Sequence, residues 1–191
     1  MDNRCKWSKG SELYMEYHDK EWGVPLHDDD ELFEFLILEG FQAGLSWSTI
    51  LNKREAFRQA FDDFDAKTIA AYNEAKVAEL LQNKGIIRNK LKINAAIKNA
   101  IAFLRIQAEY GSFDKYIWQF TNYATVQNQF EKESDIPATT AISDKMSKQL
   151  KKDGFSFVGS TICYAFMQAI GMVNDHITSC FRYNECRSLS I

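Results

Sequence analysis

The stretch SDKMSKQLKKDGFSFVGSTICYAFMQAIG, residues 143–171, decides the fold. Ser143 is placed to cap a helix that runs to Gly154, where a left-handed residue belongs just past a helix end. Phe155 to Val158 make a short connection to Gly159. A second helix then runs from Ser160 to Ile170 and is closed by Gly171. Its apolar positions Ile162, Cys163, Ala165, Phe166, Met167, Ala169 and Ile170 cover most of the circumference, so this helix is predicted to be central and buried. The segment has the form of a helix-hairpin-helix. Gly154 permits the tight turn, and Gly159 lets another backbone approach closely. The free N–H groups at the start of the Ser160 helix suit a phosphate, and Lys148, Lys151 and Lys152 lie just before it. An ordinary αα-hairpin with a solvated lysine face reads the same way, because phosphate contact carries little sequence information.

The rest of the chain reads as helix around that hairpin. Glycine and proline together number 11 of 191 residues, below the roughly 12% of an average chain, which argues against a many-stranded sandwich or barrel. Asp30 is the expected cap of a helix through Leu38, and Ser46 opens another to about Ala60. Asp65 caps Ala66–Tyr72, and a short helix from Glu74 ends before Gly85. From Asn89 to Ala108, Ile93, Ile97, Ala100, Ile101 and Leu104 form one apolar stripe. Ser112 or Asp114 opens a helix through Phe120. Residues 122–142 read as irregular, with Pro137 as a stop. The expectation is an all-α chain, one domain over residues 1–191 or two lobes sharing a core.

The net charge is −3, which excludes a strongly basic chain but not a local basic face. Residues 16–39 hold nine acids against one base, and residues 84–105 hold six bases and no acid. No apolar run exceeds six residues (162–167), far short of a membrane span. The N-terminus has no apolar signal core, so the cytosol or another reducing space is the expected compartment.

In such a space four cysteines need a reason other than disulfides. His176 and Cys180 are four residues apart, so one helical turn would put both on one face. Cys5 and His18 lie at the other end of the chain. Two thiolates and two imidazoles make a closed tetrahedral zinc set that would join the chain ends. Two buried cysteines and two unrelated histidines are the plain alternative, since no CxxC is present. Near the N-terminus, Trp7, Tyr14, Tyr17, Trp22 and Trp47 surround Leu38-Glu39-Gly40-Phe41-Gln42-Ala43-Gly44-Leu45-Ser46-Trp47. Aromatic rings can sandwich a nucleobase, and a carboxylate ending an apolar helix needs a partner. An aromatic core with an exposed Glu39 is the plainer reading.

Several blocks in order resemble 3-methyladenine DNA glycosylase I. They are Cys5-x-Trp7, Tyr17-His18-Asp19-x-Glu21-Trp22-Gly23, Leu38-Glu39-Gly40-x-Gln42-Ala43-Gly44-Leu45-Ser46-Trp47, Gly85-Ile86-Ile87-Arg88, and Gly154 through Ala169. The resemblance spans Arg4 to Cys180. It implies a helix-hairpin-helix glycosylase (hairpin at about 143–171) whose two helical lobes are fastened by one structural zinc. The zinc ligands would be Cys5, His18, His176 and Cys180, a clasp from 5–18 and 176–180. It implies a monofunctional enzyme that flips 3-methyladenine out of alkylated duplex DNA and hydrolyses its N-glycosidic bond, leaving an abasic site. The base pocket maps to Tyr17, Glu39 and Trp47, with Trp7 and Trp22 nearby, and Glu39 and Tyr17 are the residues expected to carry the chemistry. DNA contacts are expected from Gly44, Leu45, Gly154, Gly159, Ser160 and Lys151. Leu45 would be the wedge filling the gap left by the flipped nucleotide. Asp175 is expected to orient His176, and Cys186 has no assigned role. A monomer is expected, with no membrane partner.

Three other readings are kept beside this one. A non-catalytic zinc-containing DNA-binding module would share the hairpin but need no pocket. A zinc hydrolase would need an open metal position, which four protein ligands deny. A relative acting on another lesion would differ in the base it releases.

Overall fold

The computed structural model describes residues 3–189, so Met1 and Asp2 of the N-terminal stretch lie outside it. The helices follow in order: α1 (Glu12–Lys20), α2 (Asp29–Gln42), α3 (Trp47–Leu51), α4 (Arg54–Ala60), α5 (Ala66–Ala70), α6 (Glu74–Gln82), α7 (Lys90–Tyr110), α8 (Phe113–Trp118), α9 (Ala141–Lys152), α10 (Ser160–Ala169) and α11 (Phe181–Leu189). Short 3-10 turns fill several connections. Two two-residue strands, β1 (Val126–Gln127) and β2 (Val173–Asn174), pair in parallel, with Val126 opposite Val173. The first strand lies within the segment expected to be irregular. It ties the 122–142 excursion to the chain just after α10, through Val126 N–H to the Met172 carbonyl at 2.9 Å.

The helix ends show where local chemistry won. Ser46 and Asp65 cap the helices expected to open there, Ser112 rather than Asp114 caps α8, and Asn89 caps α7; each accepts a backbone N–H three residues on. Elsewhere tertiary contacts moved the boundary. Asp28, not Asp30, caps α2. Asp29 is taken by another element, its carboxylate accepting the backbone N–H groups of Phe113 and Asp114 at 2.8 Å each. Thr140, not Ser143, caps α9, and Ser143 completes a capping box from inside the helix. The helix expected from Ser46 to Ala60 is broken between Leu51 and Arg54.

One apolar core runs through the chain, with α2, α7 and α10 in its middle. The stripe on α7 is rotated from the expected one. Ile93, Ala96, Ala100 and Phe103 are buried, whereas Ile101 is 55% exposed. At the end of α10, Gly171 (φ +73°) passes against the Val24–Pro25 peptide, and a Cβ there would lie 2.4 Å from the Val24 carbonyl carbon. No side chain fits. The crossing lets Gly23 and Leu26 donate backbone hydrogen bonds to Gln168 and Ile170 (3.0 and 3.1 Å), which docks the N-terminal segment onto α10.

Candidate active site and metal centre

Beside that crossing lies a cavity of about 360 Å³, within the range of small-molecule sites. Tyr14 and Tyr17 reach it from one face of α1, Glu39 and Gln42 from α2, Trp47 from the start of α3, and Gln168 from α10. Trp7 and Trp22 complete an aromatic wall, their ring centroids 4.9 Å apart at 72°. Tyr17 and Trp47 are 5.5 Å apart. Glu39 is 3% exposed and, among the described residues, has no hydrogen-bond or ion-pair partner for its carboxylate. Burial pushes its pKa up to about 8. Burial, then the neighbouring Glu39 carboxylate, raises Tyr17. The Trp47 indole N–H is also buried without an acceptor. An aromatic slot with one uncommitted carboxylate and one uncommitted donor suits a flat, polar, electron-poor ligand.

Next to the aromatic wall, Cys5, His18, His176 and Cys180 are all buried, and their donor atoms lie within 4.8 Å of one another. Cys5 precedes the turn at Lys6–Gly10, and His18 sits in the last turn of α1. The other pair does not lie on a helical turn, contrary to the expectation from its spacing. His176 and Cys180 flank a turn after β2, closed by the Cys180 N–H on the Ile177 carbonyl at 2.8 Å. The S···N separations are 3.8 Å for Cys5–His176, 3.5 Å for Cys180–His18 and 3.6 Å for Cys180–His176. Metal–sulfur and metal–nitrogen bonds at a tetrahedral angle give about 3.6 Å. The imidazoles are preset as well. The Nδ1 of His18 is 2.8 Å from Asp19, and the Nε2 of His176 is 2.9 Å from the Trp22 carbonyl. Each ring therefore turns its other nitrogen, as an acceptor, toward the thiols. The pairing of the two thiols pushes Cys180 down, and the same pairing together with burial pushes Cys5 up. Two buried thiols facing two imidazole lone pairs form a donor set whose ionisation a bound cation would compensate. The group can hold a metal ion.

On the other side of α2, α9 and α10 meet through Gly154 (φ +90°) and Phe157 (φ +56°). Ser147 donates to the Val158 carbonyl at 2.7 Å and so tightens the turn. Gly159 precedes α10 with no side-chain cap, and a Cβ there would meet nothing within 4 Å. Its smallness is not required by internal packing. Lys148, Lys151 and Lys152 are exposed, and Ser160 is held by Asp144 at 2.6 Å. Gly44 (φ +78°) projects Leu45, which is 38% exposed and so not core.

Residues 7–183 match the family model for methyladenine glycosylase. The chain belongs to the methyladenine glycosylase family. DNA-3-methyladenine glycosylase 1 of Escherichia coli (strain K12) is 49% identical over 180 residues, covering 94% of this chain and 96% of that protein. A crystal structure of 3-methyladenine DNA glycosylase I superposes with a TM-score of 0.91 at 52% identity, covering 93% of this chain and 98% of that one. A tyrosine-to-phenylalanine variant of 3-methyladenine DNA glycosylase I, crystallised with 3-methyladenine, superposes with a TM-score of 0.91 at 35% identity, covering 94% and 96%.

Within this glycosylase frame one assignment needs correction. Asp175 does not orient His176, which the Trp22 carbonyl holds. The Asp175 carboxylate instead accepts from Asn128 (2.7 Å), Tyr164 (2.6 Å) and Gln168 (2.8 Å). It therefore supports the cavity through Gln168. Sequence reasoning also missed Glu133, Ile136 and Pro137, which line the cavity from the segment read as irregular. No periodicity marks them, because a non-repeating segment carries no face. Glu133 accepts the backbone N–H of Lys6, next to Cys5, which links that wall to the metal cluster. Cys186 is buried beside Gly23 and outside the four-residue group.

Proposed function

We propose that the chain is a DNA-3-methyladenine glycosylase that acts on alkylated duplex DNA. It extrudes the damaged nucleotide and hydrolyses the bond between base and sugar. The observation that carries this reading is Glu39: a buried carboxylate without a protein partner, in an aromatic slot, in a member of the methyladenine glycosylase family. Methylation at N3 makes the bound nucleoside cationic, so the base leaves neutral and a strong general acid is unnecessary. Water adds to C1′ as the bond to the base breaks, its oxygen stays on the sugar, and its second proton goes to solvent. Trp47 and Tyr17 stack on or flank the base, and Glu39 accepts from its exocyclic amine. The arriving positive charge lowers the Glu39 pKa and favours its ionised form. Unmodified adenine brings no such charge and would have to sit against a costly buried anion, so discrimination is electrostatic as well as steric.

The α9–α10 hairpin serves as a helix-hairpin-helix, its Gly159–Ser160 N–H groups and Lys151 meeting the DNA backbone. Leu45 fills the gap in the duplex. Cys5, His18, His176 and Cys180 hold one zinc ion that fastens the two ends of the chain; with four protein ligands its part is structural. Support comes from the S···N separations and the preset imidazoles. Release of free base from methylated duplex, resolved by chromatography, tests the whole reading. DNA binding without release of 3-methyladenine would replace it with a non-catalytic zinc-containing module.

A further inference from the structure

Lys92 is the one lysine among the described residues that is buried, 8% exposed, on a helix whose other buried residues are alanine, isoleucine, phenylalanine and Asn99. Its ammonium crosses from α7 to the end of α2. There it donates to the carbonyls of Phe41 at 2.8 Å and Ala43 at 2.5 Å. Those carbonyls lie where a helix runs out of partners, and α2 has no basic residue in its own last turn. Lys92 thus supplies from another helix the positive charge that the negative end of α2 lacks. The contact has a geometric consequence. Ala43 leaves the helix with φ −48° and ψ 118°, and the next residues are Gly44 and Leu45. From the opposite side, the Gln42 amide donates to the Leu45 carbonyl at 2.8 Å, and the Leu45 N–H donates to the Gln42 carbonyl at 2.7 Å. The turn carrying Leu45 is therefore clamped between Gln42 and Lys92. Glu39 sits one helical turn earlier on the same rigid element.

The same helix holds the hairpin. Asn99, two turns beyond Lys92, accepts the Ser156 N–H at 2.7 Å and donates to the Ser156 carbonyl at 3.0 Å. Seven residues of helix set Lys92 and Asn99 about 10 Å apart on nearly the same face. One continuous helix thus fixes the spacing between the Leu45 turn and the Ser156–Gly159 hairpin. We propose that Lys92 is a positioning residue for nucleotide extrusion: through the Phe41 and Ala43 carbonyls it keeps Leu45 in register with both the Glu39 pocket and the hairpin. The idea rests on the glycosylase reading above and extends it to a residue that touches neither base nor DNA.

Three variants test it: Lys92→Met, which keeps the length and loses the donors, Lys92→Arg, which keeps the charge, and Leu45→Ala. Each is measured for affinity toward free 3-methyladenine, single-turnover excision from methylated duplex, and fluorescence of 2-aminopurine stacked beside the extruded position. Lys92→Met is expected to bind free base within twofold of the parent and to lose at least tenfold in excision and in the extrusion signal. Lys92→Arg should recover most of that loss. The double variant Lys92→Met/Leu45→Ala should be no worse than Leu45→Ala alone, because both act on one step. Parent-like extrusion by Lys92→Met overturns the proposal. So does an equal loss of free-base affinity, or a double variant whose losses multiply, since either marks a general structural role. If Lys92→Met does not fold, Lys92→Gln, which keeps N–H donors but spans less distance, is scored in the same way. If the parent itself releases no 3-methyladenine, the glycosylase reading has failed rather than the role of Lys92.

Discussion

Replacing Glu39 by glutamine should stabilise the protein while impairing recognition. The unfolded chain releases this proton near pH 4.5, whereas burial holds the folded pKa at about 8. Between those values the folded state binds one more proton than the unfolded state, and stability falls as pH rises. The contribution is fully present below about pH 4.5 and is lost as pH passes through about 8. At 1.36 kcal/mol per pH unit, the penalty approaches about 3 kcal/mol at pH 7 and about 5 kcal/mol above pH 8, if the cavity neither relaxes nor admits water. Glu39→Gln removes the ionisation and keeps the shape. Its advantage over the parent should be near zero at pH 4 and grow to roughly 6–12 °C in Tm at pH 7, at the few degrees per kcal/mol typical of this size. Thermal or urea unfolding of both proteins from pH 4 to pH 8 measures the difference, with every other titrating group cancelling. A constant difference across that window, or a less stable Glu39→Gln at pH 7, would refute the argument. The same substitution should weaken lesion binding, as expected where a site carries a destabilised group.

Glu39→Ala should cost more in recognition: a charge-assisted hydrogen bond contributes about 1.5–3 kcal/mol, so 3-methyladenine affinity should fall roughly ten- to a hundredfold, measured by titration with the free base. Because the leaving base is labile, excision should slow without being abolished. Cys180→Ala should leave less than one metal per chain by elemental analysis and lower Tm far more than it slows single-turnover excision, since it opens a clasp behind the aromatic wall that touches no reacting atom. A metal-free parent of unchanged stability would argue against the centre. Gly159→Asp should weaken binding to duplexes of every sequence alike, because a carboxylate would project where a phosphate meets the start of α10; unchanged affinity at low salt would take the hairpin off the binding surface.

Much of the candidate site was legible because its residues sit in short blocks. Tyr17, Glu39 and Trp47 belong to two continuous stretches that carry the family resemblance, and the fold brings them to one cavity. The four cysteine and histidine residues were legible as one candidate set from their chemistry and from the family resemblance, not from their spacing. Nothing in the spacing of Cys5 and His18 requires contact with His176 and Cys180. Their meeting depends on Gly171 crossing the Val24–Pro25 peptide and on Phe181 donating to the Asn3 carbonyl at 3.1 Å. The wall from Glu133 to Pro137 was not legible at all.

By itself the sequence determined the features that depend on a few neighbouring residues. These are the caps at Ser46 and Asp65, the helix start at Asn89, the stops at Gly154 and Gly171, and the apolar character of α10. Each reflects a hydrogen bond or a backbone angle completed within about four residues. Only the tertiary structure decided among locally equivalent choices. Asp28, Asp29 and Asp30 are interchangeable as caps until the start of α8 claims the Asp29 carboxylate. Ile101 and Phe103 are equally apolar until neighbouring helices select the alanine-lined face of α7 and leave Ile101 in water. Lys92 looks like one more surface base until the unpaired carbonyls ending α2 draw its ammonium inside. In each case a group distant in sequence supplies the deciding partner, and no local pattern contains that partner's position.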